Sequence, residues 1–512
     1  MRYIVIVVFL LSFCSAFSQA DTKEFKAANK QFKIGNYYGA LKMYNLLYMQ
    51  DAENKELNYY MGVCNYNIKN YAKAEEHFLK SSSSTSLELF RYKASIAHIG
   101  MKFKKASNYY NAYKLISGNK ELTNDEINDE VAKVKYAEIA ILDKRDVLIQ
   151  NVGESINTAG EEYVPLISAE EKQLFFTSRR EGSTGGKLDP DGRPFEDIYM
   201  SVNLNNTWMA PRSVEAVNTD GNDACVGLSA DGQSLFLFKP SDDLKTGDLY
   251  ISRMGLDDWE KPVKLGSDIN SEYTESSASI SMDDKVLFFS SDRPGGFGGK
   301  DIYKVLRLPN GKWSKALNLG PTVNTAYDED APFIHSDKKT LYFSSKGHTN
   351  MGGYDIFKTV YEKRVWSAPE NLKYPINTVQ DDIFYVVSAS GKIGYYSSSK
   401  EGGFGGQDIY KVVLKDEFVS EHILKGIVLA KKGNSFLSAK ITLIENESKK
   451  VKGIYKSNNN TGNFIMLVNP EKTYSIVVES DDYHSYTADL EFDVNSNERV
   501  EFKLIKKGKG EL

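Results

Sequence analysis

The sequence is poor in the residues that usually build catalytic and metal sites. Its 512 residues include three Cys and six His, and the His residues are scattered without the His-Glu-x-x-His spacing of zinc peptidases. No Gly-x-Ser-x-Gly motif occurs, so we expect no attached hydrolase domain. The net charge is only −5, which gives no general attraction to nucleic acid or anionic lipid. We expect no enzyme, no cofactor and no nucleic-acid partner.

Long hydrophobic runs are also scarce. The N-terminal run from Ile4 to Phe13 is about ten residues, against roughly 20 needed to cross a bilayer. A basic start, a short apolar run and small residues are typical of an export signal, with cleavage before Gln19. A lipoprotein interpretation would use Cys14, but bulky Phe13 stands where a small residue is wanted. We predict a signal peptide over residues 1–18, location in the periplasm or at the outer membrane, and no transmembrane span.

The remaining cysteines indicate neither a disulfide framework nor a metal site. Cys64 and Cys225 lie in different predicted domains, so we expect no disulfide although an exported protein meets an oxidising environment. Their spacing does not fit a structural zinc site.

A repeat of about fifty residues dominates residues 146–415. Its clearest motif is Asp-[Ile/Leu]-[Tyr/Phe], which starts at Asp197, Asp248, Asp301, Asp355 and Asp408. A period of this length with short β-type runs predicts a propeller of four-stranded blades, five in this chain. Single blades cannot bury both faces, so the blades must associate side by side.

Other motifs keep the same spacing. [Ile/Val]-Asn-[Ser/Thr] recurs with Asn157, Asn218, Asn270, Asn324 and Asn377. Five residues after each Asn stands a carboxylate, at Glu162, Asp223, Glu275, Glu329 and Asp382. If these carboxylates face an axial channel they could attract a cation or a basic peptide. We favour the alternative that they accept backbone hydrogen bonds, since a binding site rarely needs every blade alike.

The tryptophans indicate how the ring closes. All four lie in the repeat, at Trp208, Trp259, Trp313 and Trp366. Five sets of inner strands are present, but only four are followed by a Trp strand. The segment 146–153 precedes the first Asn-Thr in the right register. We predict that it completes the fifth blade and joins the two ends of the ring.

A basic residue follows the second strand of each blade. These residues are Arg179, Lys239, Arg293, Lys346 and Lys400. We predict that each pairs with the Asp of Asp-Ile-Tyr in its own blade, which would compensate two partly buried charges.

The glycine-rich loops before the third strands invite a comparison with phosphate-binding loops. Gly295-Gly-Phe-Gly-Gly and Gly402-Gly-Phe-Gly-Gly precede strands rather than helices, so no helix N-terminus is offered to an anion, and we predict hairpin turns. The longer counterpart at 182–196 contains Asp189 and Asp191, a weak Ca²⁺ candidate.

Residues 21–142 have a helical period instead. Small and aromatic residues recur at an offset of 34 and then 32 residues, as in Ala40, Ala74 and Ala106, which is typical of tetratricopeptide (TPR) repeats. The product could be a concave peptide-binding groove or a collar that only supports the propeller. A further helix is predicted from about Asn124 to Leu142.

Residues 420–505 return to short alternating strands. We predict strands starting near Ile423, Lys440, Asn463, Tyr474 and Arg499, forming a small β-sandwich. Residues 506–512 are a polar tail. The predicted fold class is therefore multidomain α plus all-β.

Together these motifs resemble the TolB-type, WD-repeat-like propellers of Bacteroidota envelope proteins. The order of domains is similar to that of PorE-like proteins of the type IX secretion (gliding) machinery. Leu424-Lys-Gly-Ile-Val, Ala439-Lys-Ile-Thr-Leu and Thr461-Gly-Asn-Phe match the carboxypeptidase-regulatory-like domain of that family. The family's OmpA-like peptidoglycan-binding domain has no counterpart before Leu512, so we expect it to be lacking.

The resemblance implies a non-catalytic, exported scaffold. Its expected partners are envelope or outer-membrane proteins, held by the TPR groove and a propeller face. The alternative is a module that binds glycan or peptidoglycan fragments through exposed Tyr side chains and the long first-blade loop.

Overall fold

The computed structural model describes residues 22–81, 86–116, 121–168, 171–189, 192–241, 246–256, 258–414, 422–493 and 499–508. The predicted signal peptide and Asp191 lie outside the described residues. The chain divides into two compact units. The first comprises Met1–Ala97, Lys104–Ile127 and Asp189–Arg193, and the second His98–Phe103, Asn128–Leu188 and Pro194–Leu512.

Seven α-helices are found in the described part of the N-terminal region. They are α1 (Lys23–Lys33), α2 (Tyr37–Tyr48), α3 (Lys55–Asn67), α4 (Tyr71–Lys80), α5 (Leu89–Ile99), α6 (Phe103–Leu115) and α7 (Asn124–Ala140). The predicted last helix is confirmed and ends two residues before Leu142. Within the described residues, none of the helices is long and apolar enough to span a membrane.

Side-chain caps and small residues explain the helical pairs. The side chains of Thr22, Asn36, Asn54 and Asn70 each accept a hydrogen bond from a backbone amide three residues later, which satisfies one orphan donor of the first turn. Ala40, Ala74 and Ala106 are fully buried. A Cβ atom on Gly62 would lie 2.5 Å from the Phe78 ring, so the contact between α3 and α4 requires a glycine there.

The second unit is mainly β-structure. Its first part contains β1 (Val147–Asn151), β2 (Glu162–Ile167), β3 (Gln173–Ser178), β4 (Asp197–Leu204), β5 (Thr207–Trp208), β6 (Arg212–Ser213), β7 (Ala224–Leu228), β8 (Ser234–Pro240), β9 (Gly247–Arg253), β10 (Val263–Lys264), β11 (Glu275–Ile280), β12 (Val286–Ser291), β13 (Asp301–Leu306), β14 (Leu317–Asn318), β15 (Glu329–Ile334), β16 (Thr340–Ser345), β17 (Asp355–Glu362), β18 (Val365–Trp366), β19 (Glu370–Asn371), β20 (Asp382–Val387), β21 (Ile393–Ser398) and β22 (Asp408–Leu414).

In the described residues these strands form five antiparallel sheets. Sheet 1 contains β2–β6, sheet 2 β7–β10, sheet 3 β11–β14, sheet 4 β15–β19, and sheet 5 β20–β22 with β1. The first strands β2, β7, β11, β15 and β20 contact one another in that order, and β20 contacts β2 again. The arrangement is a closed, propeller-like β-domain.

The predicted ring closure is confirmed. β1 pairs antiparallel with β22, from Val147 opposite Leu414 to Asn151 opposite Tyr410. Asn151 thus occupies the position that Asn318 holds opposite Tyr303 in sheet 3. Because the first and last parts of the ring share one sheet, no long strand edge is left open at that junction.

The tryptophans differ in detail from the sequence prediction. The strands that pair beside Asp-Ile-Tyr do not contain the Trp residues. They are two-residue strands that follow the Trp in sequence, such as Arg212–Ser213 and Leu317–Asn318. Trp208 and Trp366 lie in β5 and β18, which pair with the far ends of β4 and β17. Each third strand is therefore longer than its fourth-strand partner, and the Trp hairpin extends it.

The C-terminal part forms two further sheets. Its strands are β23 (His422–Ala430), β24 (Lys440–Glu445), β25 (Val451–Lys456), β26 (Asn463–Val468), β27 (Tyr474–Glu479), β28 (Tyr486–Leu490) and β29 (Val500–Leu504). The sheet orders are β26-β23-β29 and β25-β24-β27-β28. Buried side chains from both sheets, such as Val428, Ile441, Phe464 and Ile476, share one core. β25 and β28 were missed from the sequence because they are short and polar on their exposed sides.

Candidate functional site

The five carboxylates that begin the first strands, the first-strand carboxylates, are all fully buried. They are Glu162, Asp223, Glu275, Glu329 and Asp382. Each accepts the backbone amide and the hydroxyl of the Ser or Thr four residues earlier; in sheet 1 both bonds from Thr158 to Glu162 measure 2.7 Å. Their oxygen atoms hold the turn that leads into each sheet.

The cations that contact these carboxylates lie near the ends of the second strands or just after them. In sheet 3, Arg293 Nη2 lies 2.9 Å from Glu275 Oε1 and also donates to the carbonyl of Ile269. In sheet 1 the same role belongs to Arg180, which donates to the carbonyl of Ile156 at 2.7 Å and lies 3.5 Å from Glu162. In sheet 2, Lys239 forms an ion pair with Asp223.

The predicted pairing of the basic residues with Asp-Ile-Tyr is therefore wrong. Arg179 contacts Glu196 at 2.6 Å, Lys346 contacts Asp328 at 2.9 Å, and Lys400 lies over the Tyr410 ring. The reason is that the third-strand aspartates already have donors. In sheet 1 the carboxylate contact belongs to Arg180, one position after the predicted Arg179.

The third-strand aspartates are Asp197, Asp248, Asp301, Asp355 and Asp408. In four of the five sheets their carboxylates accept the backbone amide of a loop residue at 2.7–2.9 Å, namely Thr184, Phe297, Met351 and Phe404. In sheets 3, 4 and 5 an Asn of the fourth strand also donates to them. Asp248 is different, since it pairs with Lys264 at 2.7 Å.

The repeated Asn residues connect neighbouring sheets. Asn157 accepts the amide of Ile409 and donates to its carbonyl, at 2.9 and 3.0 Å. The same pair of bonds joins Asn218 to Ile198 in the preceding sheet, and Asn270, Asn324 and Asn377 to their preceding sheets. The Asn side chain thus accepts the third-strand amide and shares the carbonyl of the same residue with a backbone amide, such as that of Val214 on Ile198.

Three of the four tryptophans also contact the preceding sheet. Trp208 packs edge-on against Tyr395, Trp259 against Phe175, and Trp366 against Phe288, with ring centroids 5.7–6.1 Å apart. Trp313 instead lies under the guanidinium of Arg307 at 4.2 Å. The contacts of the Trp residues are thus internal to the ring.

Sheet 4 departs from this pattern. His348 Nε2 contacts the carbonyl of Val323 at 2.8 Å, where sheets 1 and 3 place an arginine. Glu329 receives hydroxyl and amide donors from Thr325 and a hydroxyl from Ser345. With hydroxyl and amide donors but no arginine, burial raises the pKa of Glu329 to about 7. Burial also lowers the pKa of His348.

The Ca²⁺ candidate has one described member. The Asp189 carboxylate accepts the Arg193 amide at 3.0 Å and lies 3.3 Å from Arg193 Nε. Across the described ranges, no group of three or more His, Cys, Asp or Glu side chains could hold a metal ion. Cys64 and Cys225 are free and buried, and burial raises the pKa of both thiols to about 12.

The ring axis contains a small pocket of 30 Å³ whose lining side chains are mostly apolar. It is lined by first-strand residues of all five sheets, among them Val164, Leu228, Ala278, Phe333 and Tyr385. Among the described residues that line it there is no carboxylate. Val164, Ala331 and Phe384 adopt left-handed backbone angles of 52° to 62°, each at a β-bulge.

A larger cleft of 730 Å³ lies between the first-to-second-strand turns of sheets 2 and 3 and the C-terminal sheets. Its lining is strongly polar. It includes Arg253, Asp284 and Arg307 on the ring and Lys440, Tyr455 and Asn459 on the C-terminal part. A cleft of this size is large enough for a small ligand.

Comparison with known proteins gives likeness of fold only. No protein-family model matches the chain, and no curated protein matches it. Similar solved structures include TolB from Acinetobacter baumannii, with 15% identity and a TM-score of 0.33 over 50% of this chain and 55% of that one. They also include a putative TolB from Agrobacterium tumefaciens (17%, 0.29, 52% and 96%) and an alpha-L-arabinofuranosidase from Lactobacillus brevis (12%, 0.34, 53% and 93%). Of the first of these, the chain spans about half the length.

Proposed function

We propose that the chain is a non-catalytic scaffold of the cell envelope. It combines a TPR domain, a five-bladed TolB-like propeller and a carboxypeptidase-regulatory-like β-domain in the order of PorE-like proteins. Its proposed place is the periplasm or the outer membrane, within type IX secretion or gliding machinery. The TPR groove and one propeller face would hold different envelope proteins.

The internal use of the repeated polar residues supports this proposal. Carboxylates, Asn side chains and cations that recur in every sheet bond to one another or to the backbone. A glycosidase-type site needs two carboxylates about 5–10 Å apart around a substrate-sized space. The described lining of the 30 Å³ axial pocket has neither the carboxylates nor the space.

Cross-linking in the native host tests the proposal. A tagged full-length chain is treated with a cleavable cross-linker in intact cells and purified from the envelope fraction. We expect reproducible recovery of envelope proteins, and none when residues 1–18 are deleted so that the bait stays inside the cell. A folded, exported bait that recovers no envelope protein would contradict a scaffold function. Turnover of a glycan by the purified chain would contradict the non-catalytic assignment.

The 730 Å³ cleft favours a second candidate, a module that binds glycan or peptidoglycan fragments. Tyr455 offers an aromatic ring and Arg307 a guanidinium to the same space, which suits a carbohydrate that carries a carboxylate. Calorimetry with a muropeptide disaccharide separates the two candidates. Binding that is lost in Arg307→Ala supports the module, and absence of heat at millimolar ligand excludes it.

A further inference from the structure

The end of the ring at which the first and third strands begin carries both covered and exposed aromatic positions. We call it the loop face. It contains the loops whose amide donates to the third-strand aspartates and the segments just before the first-strand carboxylates. In sheets 1, 3, 4 and 5 the same hydrogen bond defines equivalent loop residues, which allows a comparison position by position.

In sheet 4 the loop face is covered by residues 128–140 of helix α7, which belong to the same unit as the sheet. Asp129 accepts a hydrogen bond from the Tyr327 hydroxyl, and Lys133 Nζ lies 5.8 Å from the centre of the Tyr327 ring. The two side chains are four residues apart, so they lie on one face of the helix. Met351, in the loop of this sheet, is fully buried, and the buried His98 ring contacts its backbone.

In sheet 3 the equivalent positions are exposed. Phe297 donates its amide to Asp301 as Met351 does to Asp355, yet its side chain is 48% exposed. Tyr273 stands two residues before Glu275, as Tyr327 stands before Glu329, and is 41% exposed. Sheet 1 has Gly160 and Thr184 at these two positions. The aromatic pair is therefore not required by the repeat.

The exposed Phe297 of sheet 3 is adjacent to the covered Tyr327 of sheet 4. Gly298 approaches the Thr325–Tyr327 backbone so closely that a Cβ atom would lie 2.5 Å from the Thr325 carbonyl oxygen. Phe297 therefore stands directly beside the residue that α7 covers. A helix placed on sheet 3 would extend an interface that the chain already makes.

We propose that Phe297 and Tyr273 form a docking site for an amphipathic helix of a partner protein, which binds sheet 3 as α7 binds sheet 4. The partner helix carries an Asp or Glu and, four residues later, a Lys or Arg, placed about Tyr273 as Asp129 and Lys133 are about Tyr327. This inference rests on the proposed scaffold function and names the surface and the chemistry of one partner.

A peptide probe tests the geometry of the site. A labelled, helix-stapled peptide with the α7 sequence of residues 124–142 is titrated with the full-length chain, and binding is followed by fluorescence anisotropy. We expect Tyr273→Ala and Phe297→Ala each to weaken binding at least tenfold, while Phe404→Ala in sheet 5 leaves it unchanged. The peptide with Asp129→Ala should also bind more weakly. No binding, or binding insensitive to Tyr273 and Phe297, overturns the proposal.

Photo-cross-linking in the host identifies the occupant. The full-length chain carries p-benzoylphenylalanine in place of Phe297 or, as a control, in place of Thr184. We expect an adduct only from position 297, with an envelope protein and at a helix that has the acid and base four residues apart. An adduct with a second copy of the chain, or no adduct although envelope proteins are still recovered, overturns this surface but leaves the scaffold function. Loss of both the adduct and all envelope partners contradicts both.

Discussion

Sheets 3 and 4 of the ring carry the same repeat and have different surroundings. In sheet 3 the buried Glu275 is paired with Arg293, and two aromatic side chains of the loop face are exposed. In sheet 4 the equivalent Glu329 has hydroxyl and amide donors with a histidine in the arginine's position, and the loop face is covered by α7.

The difference separates two kinds of repeated residue. Residues whose atoms bond across sheets, such as Asn324 to Ile302, are alike in all five sheets because every junction has the same third-strand amide to satisfy. Residues that face outward vary with what covers them. Residues that recur in every sheet therefore hold the ring together, and positions that vary from sheet to sheet are those whose surroundings differ.

The largest effect should come from removing the cation of sheet 3. Arg293→Ala leaves Glu275 buried without its charge partner, and we expect a loss of about 3 kcal/mol or more in the free energy of unfolding. In sheet 4, Lys346→Ala removes only a partly exposed pair with Asp328, which is not a first-strand carboxylate, and should cost less than about 1 kcal/mol. Urea unfolding measures both. Equal losses would show that the two sheets do not differ in this way.

Glu329 of sheet 4 should contribute to the pH dependence of stability, together with other buried carboxyls whose pKa is raised, such as Asp382 of sheet 5. The pKa of Glu329 is raised from 4.5 to about 7 by burial, so the folded chain holds a proton that the unfolded chain releases. Its contribution is fully present below pH 4.5 and is lost as the pH rises through 7, by about 3 kcal/mol.

Unfolding free energies measured from pH 5 to 8 check this expectation. Glu329→Gln should make the decline shallower. An unchanged slope in Glu329→Gln would show that this carboxyl does not contribute to the pH dependence.

The contact between sheets 3 and 4 at Gly298 should be sensitive to one added methyl group. In Gly298→Ala the added Cβ would lie 2.3 Å from the carbonyl carbon of Ala326, and backbone cannot move aside cheaply, so we expect a loss of about 1–3 kcal/mol. Gly266→Ala has no atom within 4 Å of its Cβ and serves as the control. Thermal unfolding of both variants checks the expectation, and equal midpoints would contradict it.

The smallest effect concerns the helix that covers sheet 4. Tyr327→Phe removes the hydrogen bond to Asp129 and should weaken the docking of α7 by about 0.5–1 kcal/mol. Hydrogen exchange of the α7 amides measures this, with faster exchange expected. Tyr273→Phe in sheet 3 should leave those amides unchanged. Unaltered exchange in Tyr327→Phe would mean that the tyrosine does not hold the helix.

Much of the fold could be predicted from the sequence because each copy of the repeat places the same residue types at nearly the same spacing. Asp-Ile-Tyr marks the start of each third strand, and the unmatched segment at 146–153 had to pair with the last of them, as β1 does with β22. The seventh helix was predicted from its period. By contrast, β25 and β28 have little apolar alternation and were missed.

The polar contacts of the candidate site were less predictable. Arg179 and Arg180 are adjacent, and spacing alone cannot tell which one points to Glu162; the structure assigns Arg180. The sequence pattern also paired the cations with the third-strand aspartates, because it contains no information on the loop amides, such as that of Phe297, that satisfy those aspartates first.

The sequence by itself determined the number of repeats, their β-character and the strand that closes the ring, because hydrophobic alternation and a constant spacing are local properties of the chain. Only the tertiary structure decided which charges pair and which aromatic residues are covered. Those depend on distances between residues far apart in sequence, as between Asp129 and Tyr327, and on the burial that sets the pKa of Glu329.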